Sequence, residues 1–467
     1  MIFQVIKKEM REILRDGRFK ISFFIVLFLL IAALFITSKQ YQNINEQYEN
    51  AKNSERTAWE SQGEKNPHSA AHYGNYVFKP KLPLSLLDQG VDKYTGISIF
   101  LEAHNRNEAQ YSTATDQTAL SRFGELTPDF ILFFIIPLII ILVGYNSFTK
   151  EIEGKTFYIL KSQGIDGWKL VTGKWFAALI PIVSITTLLF LVAGIVLSNI
   201  KGYAAFSWSS LTVLYGVYLL YYLIFTNVVL FISSISKKSG IALVSSLTFW
   251  VLACFIAPKI ASNIADSNYP YPTYQEFSES ISEEKKLGLD GHNPWNKESR
   301  LLQEKVLKEY NVDNIKDLPF NFYAYRMQKS EEYQAKIYAN HYNKLKNQFK
   351  KQAKVYKSLS VISPFLPARF LSMSIANTDY QSHWNFSDAS EKYRIETQAF
   401  LNGKTEKNSK TGERYVATAE TWKELPKFDY TPLSLSERLS DNKFNFIILL
   451  FWFSLTGAGL FLINKNY

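Results

Sequence analysis

Few side chains in this 467-residue sequence could bind a metal, attack a substrate or hold a phosphate. Six histidines stand at positions 68, 72, 104, 292, 341 and 383. His68 and His72 are four residues apart, as are Asp379 and His383, and this spacing puts two donors on one face of a helix. Pro67 and Gly74 keep the first such helix short, and the sequence fixes no third donor, so no metal ligand is assigned. The histidines and Asp379 are instead expected to tie distant segments together by buried hydrogen bonds. The one cysteine, Cys254, lies in an apolar stretch, so an intrachain disulfide is impossible. Gly154-Lys155-Thr156 looks like the tail of a phosphate loop, but that motif needs its first glycine where Thr149 stands. No HExxH occurs, and no Ser/His pair falls within an apolar stretch. The chain is therefore expected not to be an enzyme by itself and to hold no cofactor. Aromatic residues make up 15%, and a tyrosine-rich helix could stack on glycan or peptide, although core packing with hydroxyls reaching water gives the same pattern.

The elements that position these residues are dominated by six apolar stretches, at 21–37, 130–147, 174–198, 211–235, 240–260 and 444–463. Each runs about 17–26 residues, enough to cross a hydrocarbon core of roughly 30 Å. A backbone in lipid must satisfy its own hydrogen bonds, so each is predicted to be a helix. The rest is polar enough to bring the mean hydropathy to −0.09. The expected fold class is mainly α: a polytopic membrane protein with six transmembrane helices and most of its mass in water. A simple soluble enzyme, a disordered chain and a compact membrane protein with short loops are all excluded. The N-terminal MIFQVIKKEMREILRDGRFK is no cleavable signal peptide, because its charged region is too long and no small-residue site follows Phe35.

Short-loop basic residues set the orientation. Lys7, Lys8, Arg11, Arg15, Arg18 and Lys20 precede the first stretch, and Lys150, Lys155, Lys161, Lys169 and Lys174 follow the second. Lys237 and Lys238 lie between the fourth and fifth, whereas loop 199–210 has only Lys201. Both termini are thus expected to be cytoplasmic. Residues 38–129 and 261–442 become two extracytoplasmic regions, predicted to co-fold into one composite, largely helical domain. Region 38–129 reads as loop-rich, with turn signals at Asn66-Pro67, Lys79-Pro80, Leu82-Pro83 and Gly90. In 261–442, a long helix is predicted over about 321–358, with Tyr338, Tyr342, Leu345, Phe349, Ala353 and Tyr356 as its apolar stripe. Ser363-Pro364 and Leu366-Pro367 should stop it, and another helix is expected around 387–402.

The interiors of the six stretches carry no Asp, Glu, Lys, Arg or His. An ion-driven transporter needs an ionisable group at membrane depth, so the driving energy should come from a partner. Polar residues such as Asn146, Ser184, Asn227 and Ser246 are expected to join helices rather than line a path. Two devices face the cytoplasm. Residues 1–20 form an amphipathic helix with Phe3, Ile6, Met10, Ile13 and Leu14 on one face, suited to the membrane interface. Loop 148–173 is too short for a domain and too patterned for a linker, with Phe157, Ile159, Leu160, Ile165, Trp168 and Leu170 for contacts and Gly164 and Gly167 for a sharp turn.

The pattern Glu151-x-x-Gly154-x-Thr156, Leu160, Gly164 and Gly173-Lys174 resembles the membrane subunits of ABC-2 type ABC transporters, which have the type V exporter fold. The basic N-terminal helix and six-span plan agree with it. Gln163-Gly164-Ile165-Asp166 stands where that motif commonly has Pro and Arg. Two further segments, 72–105 and 363–402, resemble a bacterial subgroup with a large extracytoplasmic domain. The matching residues are His72-Tyr73-Gly74, Pro83-Leu84, Gly90, Tyr94-x-Gly96 and Glu102-Ala103-His104, then Ser363-Pro364, Thr378-Asp379, His383, Phe386, Glu391, Arg394 and Asn402.

The resemblance implies a permease subunit of an ATP-driven exporter in the bacterial inner membrane. Cytoplasmic ABC ATP-binding subunits, which hold ATP and Mg, would dock on the loop through Glu151, Gly154, Thr156, Leu160, Gly164, Trp168 and Lys174. A second permease copy or a sister chain would complete a dimer in membrane lipid, and no nucleic acid is involved. His72, Gly74, Tyr94, Gly96, Asp379 and His383 would serve the outer domain's structure or an envelope partner. The alternative from another class is a mechanotransmitter that moves no solute and works on that envelope partner.

Overall fold

A computed structural model describes residues 1–110, 126–162, 164–200, 202 and 205–462. The expectations resting on Gln163, Lys201 and residue 463 lie outside the described residues. Helix α1, Ile2–Arg15, is followed at once by α2, Gly17–Glu60, whose first turn is capped by Asp16 accepting from the Arg18 amide at 2.8 Å. The other long apolar helices are α4 (Pro128–Glu153), α6 (Gly167–Asn199), α7 (Trp208–Ile235), α8 (Ser239–Asn268) and α16 (Lys443–Leu462). With α2 they make, among the described residues, six helices long and apolar enough to cross a membrane, and the chain is a multi-pass membrane protein. Phe24, Phe28, Ile31 and Phe35 of α2 are exposed, whereas Val26, Leu30, Ala33, Leu34 and Thr37 are buried. The exposed side suits lipid and the buried side faces the bundle.

Helix α7 forms the centre of the bundle, packed against α4, α6, α8 and α16. Its Asn227 joins three helices, accepting from Trp175 Nε1 (2.7 Å) and donating to Thr456 (3.2 Å). Its tyrosines resolve a backbone problem. Pro137 has no N–H, so the carbonyls of Phe133 and Leu132 lose an α-type and a π-type partner. A π-helical turn spans Ile131–Ile135, and Tyr221 and Tyr222 donate to those two carbonyls at 3.1 and 3.0 Å. Helix α8 repeats the device at Leu252–Ile256 ahead of Pro258, where Ser363 donates to the Ala253 carbonyl at 2.7 Å.

Region 38–129 is less loop-rich than its turn signals suggest. Ser38–Glu60 has no proline or glycine and is rich in Gln, Asn, Glu, Lys and Ala, so α2 runs on far past the apolar stretch. Then come α3 (Pro67–Tyr73), started by Asn66 and Pro67, and an antiparallel pair, β1 (Asn75–Phe78) with β2 (Ser98–Leu101), in register Asn75↔Leu101 to Phe78↔Ser98. Region 261–442 is helical: α9 (Tyr274–Lys286), α10 (Lys297–Tyr310), α11 (Phe322–Leu359), α12 (Phe365–Ala376), α13 (Tyr380–Asn408), α14 (Ala419–Glu424) and α15 (Leu435–Asp441). α11 follows the predicted span, except that Gln352 is buried where Ala353 was expected to be. α13 extends well beyond 387–402 at both ends. Ser363-Pro364 ends the preceding segment as predicted, but Pro367 does not stop a helix. It sits in the first turn of α12, where its missing N–H costs nothing.

The two polar regions pack into one body. Trp59 Nε1 donates to the Trp422 carbonyl at 3.0 Å, Trp422 Nε1 donates to the Gly63 carbonyl at 2.7 Å, and Lys65 pairs with Ala417. One piece of this polar domain enters the bundle. Helix α12 has Leu366, Ala368, Leu371 and Ile375 in the core shared with α4 and α7. Its Arg369 donates to Asp88 and Asp129, each at 2.9 Å, and its Ser372 donates to Asp88 and meets the Tyr218 hydroxyl. At 12 residues α12 is too short to span a bilayer, so its apolar run gave no membrane signal.

Candidate functional site

Helix α1 places Val5 and Glu9 on its buried side. The close approach of α1 to α6 depends on Gly173, where a Cβ would come within 2.6 Å of the Val5 side chain. The turn after Gly144 brings the end of α4 to the same place, and the charges of all three helices interlock there. Lys174, 1% exposed, donates to Glu9 at 2.8 Å and to the Ser147 carbonyl at 2.6 Å, and lies 3.0 Å from Glu151. Lys8 donates to Glu151 at 2.8 Å and pairs with Glu9 and Glu12. Lys150 reaches Glu9 at 3.0 Å and also Glu12. Three lysines thus balance three glutamates. Burial works against the Glu9 charge, yet Lys174, Lys150 and Lys8 outweigh it and hold the carboxyl down at about 2. Phe3 and Leu14 of α1 are exposed, as a helix lying in a membrane interface requires.

The loop beyond this knot divides the sequence-assigned residues into two groups. Glu151 and Lys174 are buried members of the knot. Gly154 ends the last turn of α4, and a Cβ there would meet the Lys150 carbonyl at 3.0 Å. Thr156 precedes α5, Phe157–Ser162, and Leu160 packs with Phe157 and Ile165 against a small core around Phe148 and Leu170. Gly164 turns the chain at φ +72°. Ile159 and Trp168 stand out from it, 55% and 46% exposed. The element therefore has a fixed base and an apolar tip. Sequence reading passed over Glu9 and used Lys8 only as an orienting charge, because a helix read as lying in the membrane interface gives its charged face no protein partner. The available signal was Val5 and Glu9 at i, i+4 together with Gly173.

In the polar domain, Gly74 has φ +66°, and a Cβ there would strike Phe100 and the Leu101 carbonyl within 2.6 Å. Gly96 lies equally close to Ala109 and Gln110. Both glycines allow close backbone approach. Tyr94 is exposed beside Lys93. Asp379 is the N-cap of α13, accepting from the Ser382 amide at 2.9 Å, so it forms no ligand pair with His383. His383 packs on Trp384 instead. His72 does not meet His383; it contacts His68.

Burial pushes the His383 imidazole down to about 4, with Lys79 acting in the same direction and Asp92 against it. Folding thus favours the neutral ring. The stability this gives is present above the ordinary value of 6.5 and is lost as pH falls from there towards 4. His383→Gln is expected to remove one proton from the acid sensitivity of the polar domain, about 1.4 kcal/mol per pH unit at the steepest point. Tryptophan-fluorescence melting of the detergent-solubilised chain between pH 7 and 4.5 measures it. An unchanged slope would contradict the assignment.

Residues 275–431, from α9 to the segment after α14, match a family described as a domain of unknown function (DUF3526). The match lies within the polar domain and excludes all six apolar helices. No curated protein matches the chain.

Proposed function

We propose that this chain is the membrane permease subunit of an ATP-driven ABC transporter of the ABC-2 type, working as an exporter. The observation that carries this reading is the knot of Lys8, Glu9, Glu12, Lys150, Glu151 and Lys174, which fixes the base of the 148–173 loop to two membrane helices while Ile159 and Trp168 project from its tip. A lever needs those two properties: a stiff root and an apolar contact for a partner's pocket. Separate cytoplasmic ATP-binding subunits, carrying ATP and Mg, would press on Trp168, and the knot would pass the displacement to α1, α4 and α6. The termini and this loop are cytoplasmic in this reading, and the polar domain is extracytoplasmic. A second copy or a sister chain completes the pathway across a two-fold axis.

Trp168→Ala is expected to lower partner-stimulated ATPase activity at least tenfold, and Gly154→Trp to displace the end of α4 and weaken co-purification of the ATPase. If both variants retain wild-type coupling and co-purification, the reading fails.

A second reading is favoured by α12, which belongs to the polar domain yet lies buried among the membrane helices. Motion of the bundle would then reach the polar domain directly and act on an envelope partner without moving a solute. Transport into sealed vesicles separates the two readings.

A further inference from the structure

Helix α3 holds His68 and His72 one turn apart, His104 follows β2 with a left-handed backbone (φ 66°), and His292 stands between α9 and α10. Four imidazoles from three separate segments meet at one point. All six ring-centre separations fall between 4.6 and 6.0 Å. One donor nitrogen from each ring lies within 4.8 Å of the others. The Nε2 atoms of His68 and His72 are 3.1 Å apart, and those of His104 and His292 are 2.8 Å apart. A tetrahedral ion with metal–nitrogen bonds of ~2.0–2.1 Å keeps its donors about 3.4 Å apart and imidazole centres about 5 Å apart. The rings need no rearrangement beyond a few tenths of an ångström to about an ångström. Hydrogen bonding alone is a poor reason for the cluster. An N–H···N contact uses two rings, and adding two more brings lone pairs to face each other.

The surroundings are also those of a ligand set. His104 Nδ1 lies 2.5 Å from Glu331 Oε1, and the His104 amide donates to the same oxygen at 3.0 Å. Glu331 is held in turn by Arg394 at 3.1 Å. Metal-bound imidazoles commonly turn their second nitrogen to a carboxylate in this way, which fixes ring orientation and raises donor strength. Lys285 donates to the His104 carbonyl at 2.8 Å and steadies the same loop. His104 and His292 also border an open cleft lined by Asn105, Lys285 and Tyr338, which gives an ion a path from solvent.

We propose that His68, His72, His104 and His292 bind one divalent first-row transition ion, with zinc the best fit, at the junction of the two polar regions. Four neutral nitrogens without carboxylate oxygen do not suit calcium or magnesium. Four protein donors leave no open position, which marks a structural site rather than a catalytic one. The ion would staple His292, on the late half of the polar domain, to three ligands on the early half.

The test uses the full-length chain in detergent, purified on a tag without histidines, stripped with EDTA and reloaded with zinc or cobalt. One zinc per chain is expected after removal of excess, together with a higher melting temperature. The cobalt form should show the strong visible absorption of a tetrahedral site. His72→Ala and His292→Ala should lose the ion, whereas His341→Ala and His383→Ala, outside the cluster, should retain it. Melting of the stripped variants shows whether they still fold. The cobalt spectrum of the unaltered chain tests the site without any substitution. No retained zinc in the unaltered chain, a weak octahedral cobalt spectrum, or full retention by folded His292→Ala would each overturn the proposal.

Discussion

Replacing Lys174 with methionine is expected to cost about 3–5 kcal/mol, because it takes from two buried carboxylates, Glu9 and Glu151, the one fully buried cation they share. Lys174 is the one lysine of the knot with no exposed face, and it bonds Glu9 and the Ser147 carbonyl while lying 3.0 Å from Glu151. Methionine keeps the length of the stem, so the loss is electrostatic rather than a cavity. The double variant Lys174→Met/Glu9→Gln restores neutrality and should recover more than half of the loss. Thermal melting of the solubilised chain reads both. A Lys174→Met variant within about 1 kcal/mol of wild type would mean that the knot is solvated, because exposed pairs are worth no more than that. Co-purification of an ATPase, measured on the same variants, would show whether a loosened root also disables the lever.

The second large effect is expected at Arg394. Its guanidinium grips Glu391 with two bonds, of 2.8 and 2.9 Å, and reaches Glu331 at 3.1 Å. Arg394→Met should destabilise the polar domain by about 3–5 kcal/mol, with Arg394→Lys falling between, since an ammonium cannot reproduce the two-pronged grip. Burial raises the Glu331 carboxyl, but His104 and Arg394 more than offset it and bring it down to about 2. That contribution is present above the ordinary 4.5 and is lost as pH falls towards 2. The arginine variants should therefore lose stability at pH 7 and show a shallower acid transition below 4.5. Limited proteolysis of the polar domain, followed by tryptophan fluorescence, separates this from a failure of the membrane bundle. Equal stability of Arg394→Met and wild type at pH 7 would refute the prediction.

The membrane helices were legible because lipid imposes one simple demand, about 20 consecutive apolar residues, and the sequence meets it six times. Tertiary closure was not legible. The pair His68 and His72 is visible by spacing, but His104 and His292 are brought to it by packing across 188 positions, which no local pattern encodes. Helix α12 was missed for the opposite reason. Its run is apolar but too short for lipid, so only burial against α7 reveals its place. Glu9 escaped notice because charges near the first span were counted for orientation, and a count ignores which face of a helix each occupies. The end of α2 was misjudged because the turn signals from Asn66-Pro67 to Gly90 were taken to describe the whole of region 38–129, including residues well before them.

Helix α2 has a mechanical consequence. Its 44 residues contain no internal proline or glycine after Gly17, so nothing within it can act as a hinge. Near its start Arg18 touches Tyr145, close to the interlocked charges, and near its other end Glu55 accepts from the Tyr76 amide and Trp59 grips Trp422. At 1.5 Å per residue the rod is about 66 Å long, so a tilt of about 10° at its root would sweep its tip through about 11 Å. Small strokes on one side of the bilayer would thus be magnified on the other, much as an oar magnifies the hand. If the proposed coupling operates, the compliance would have to sit where α1 meets α2 and in the short joint between Glu60 and Pro67, which would make those two places its fulcrum and its wrist.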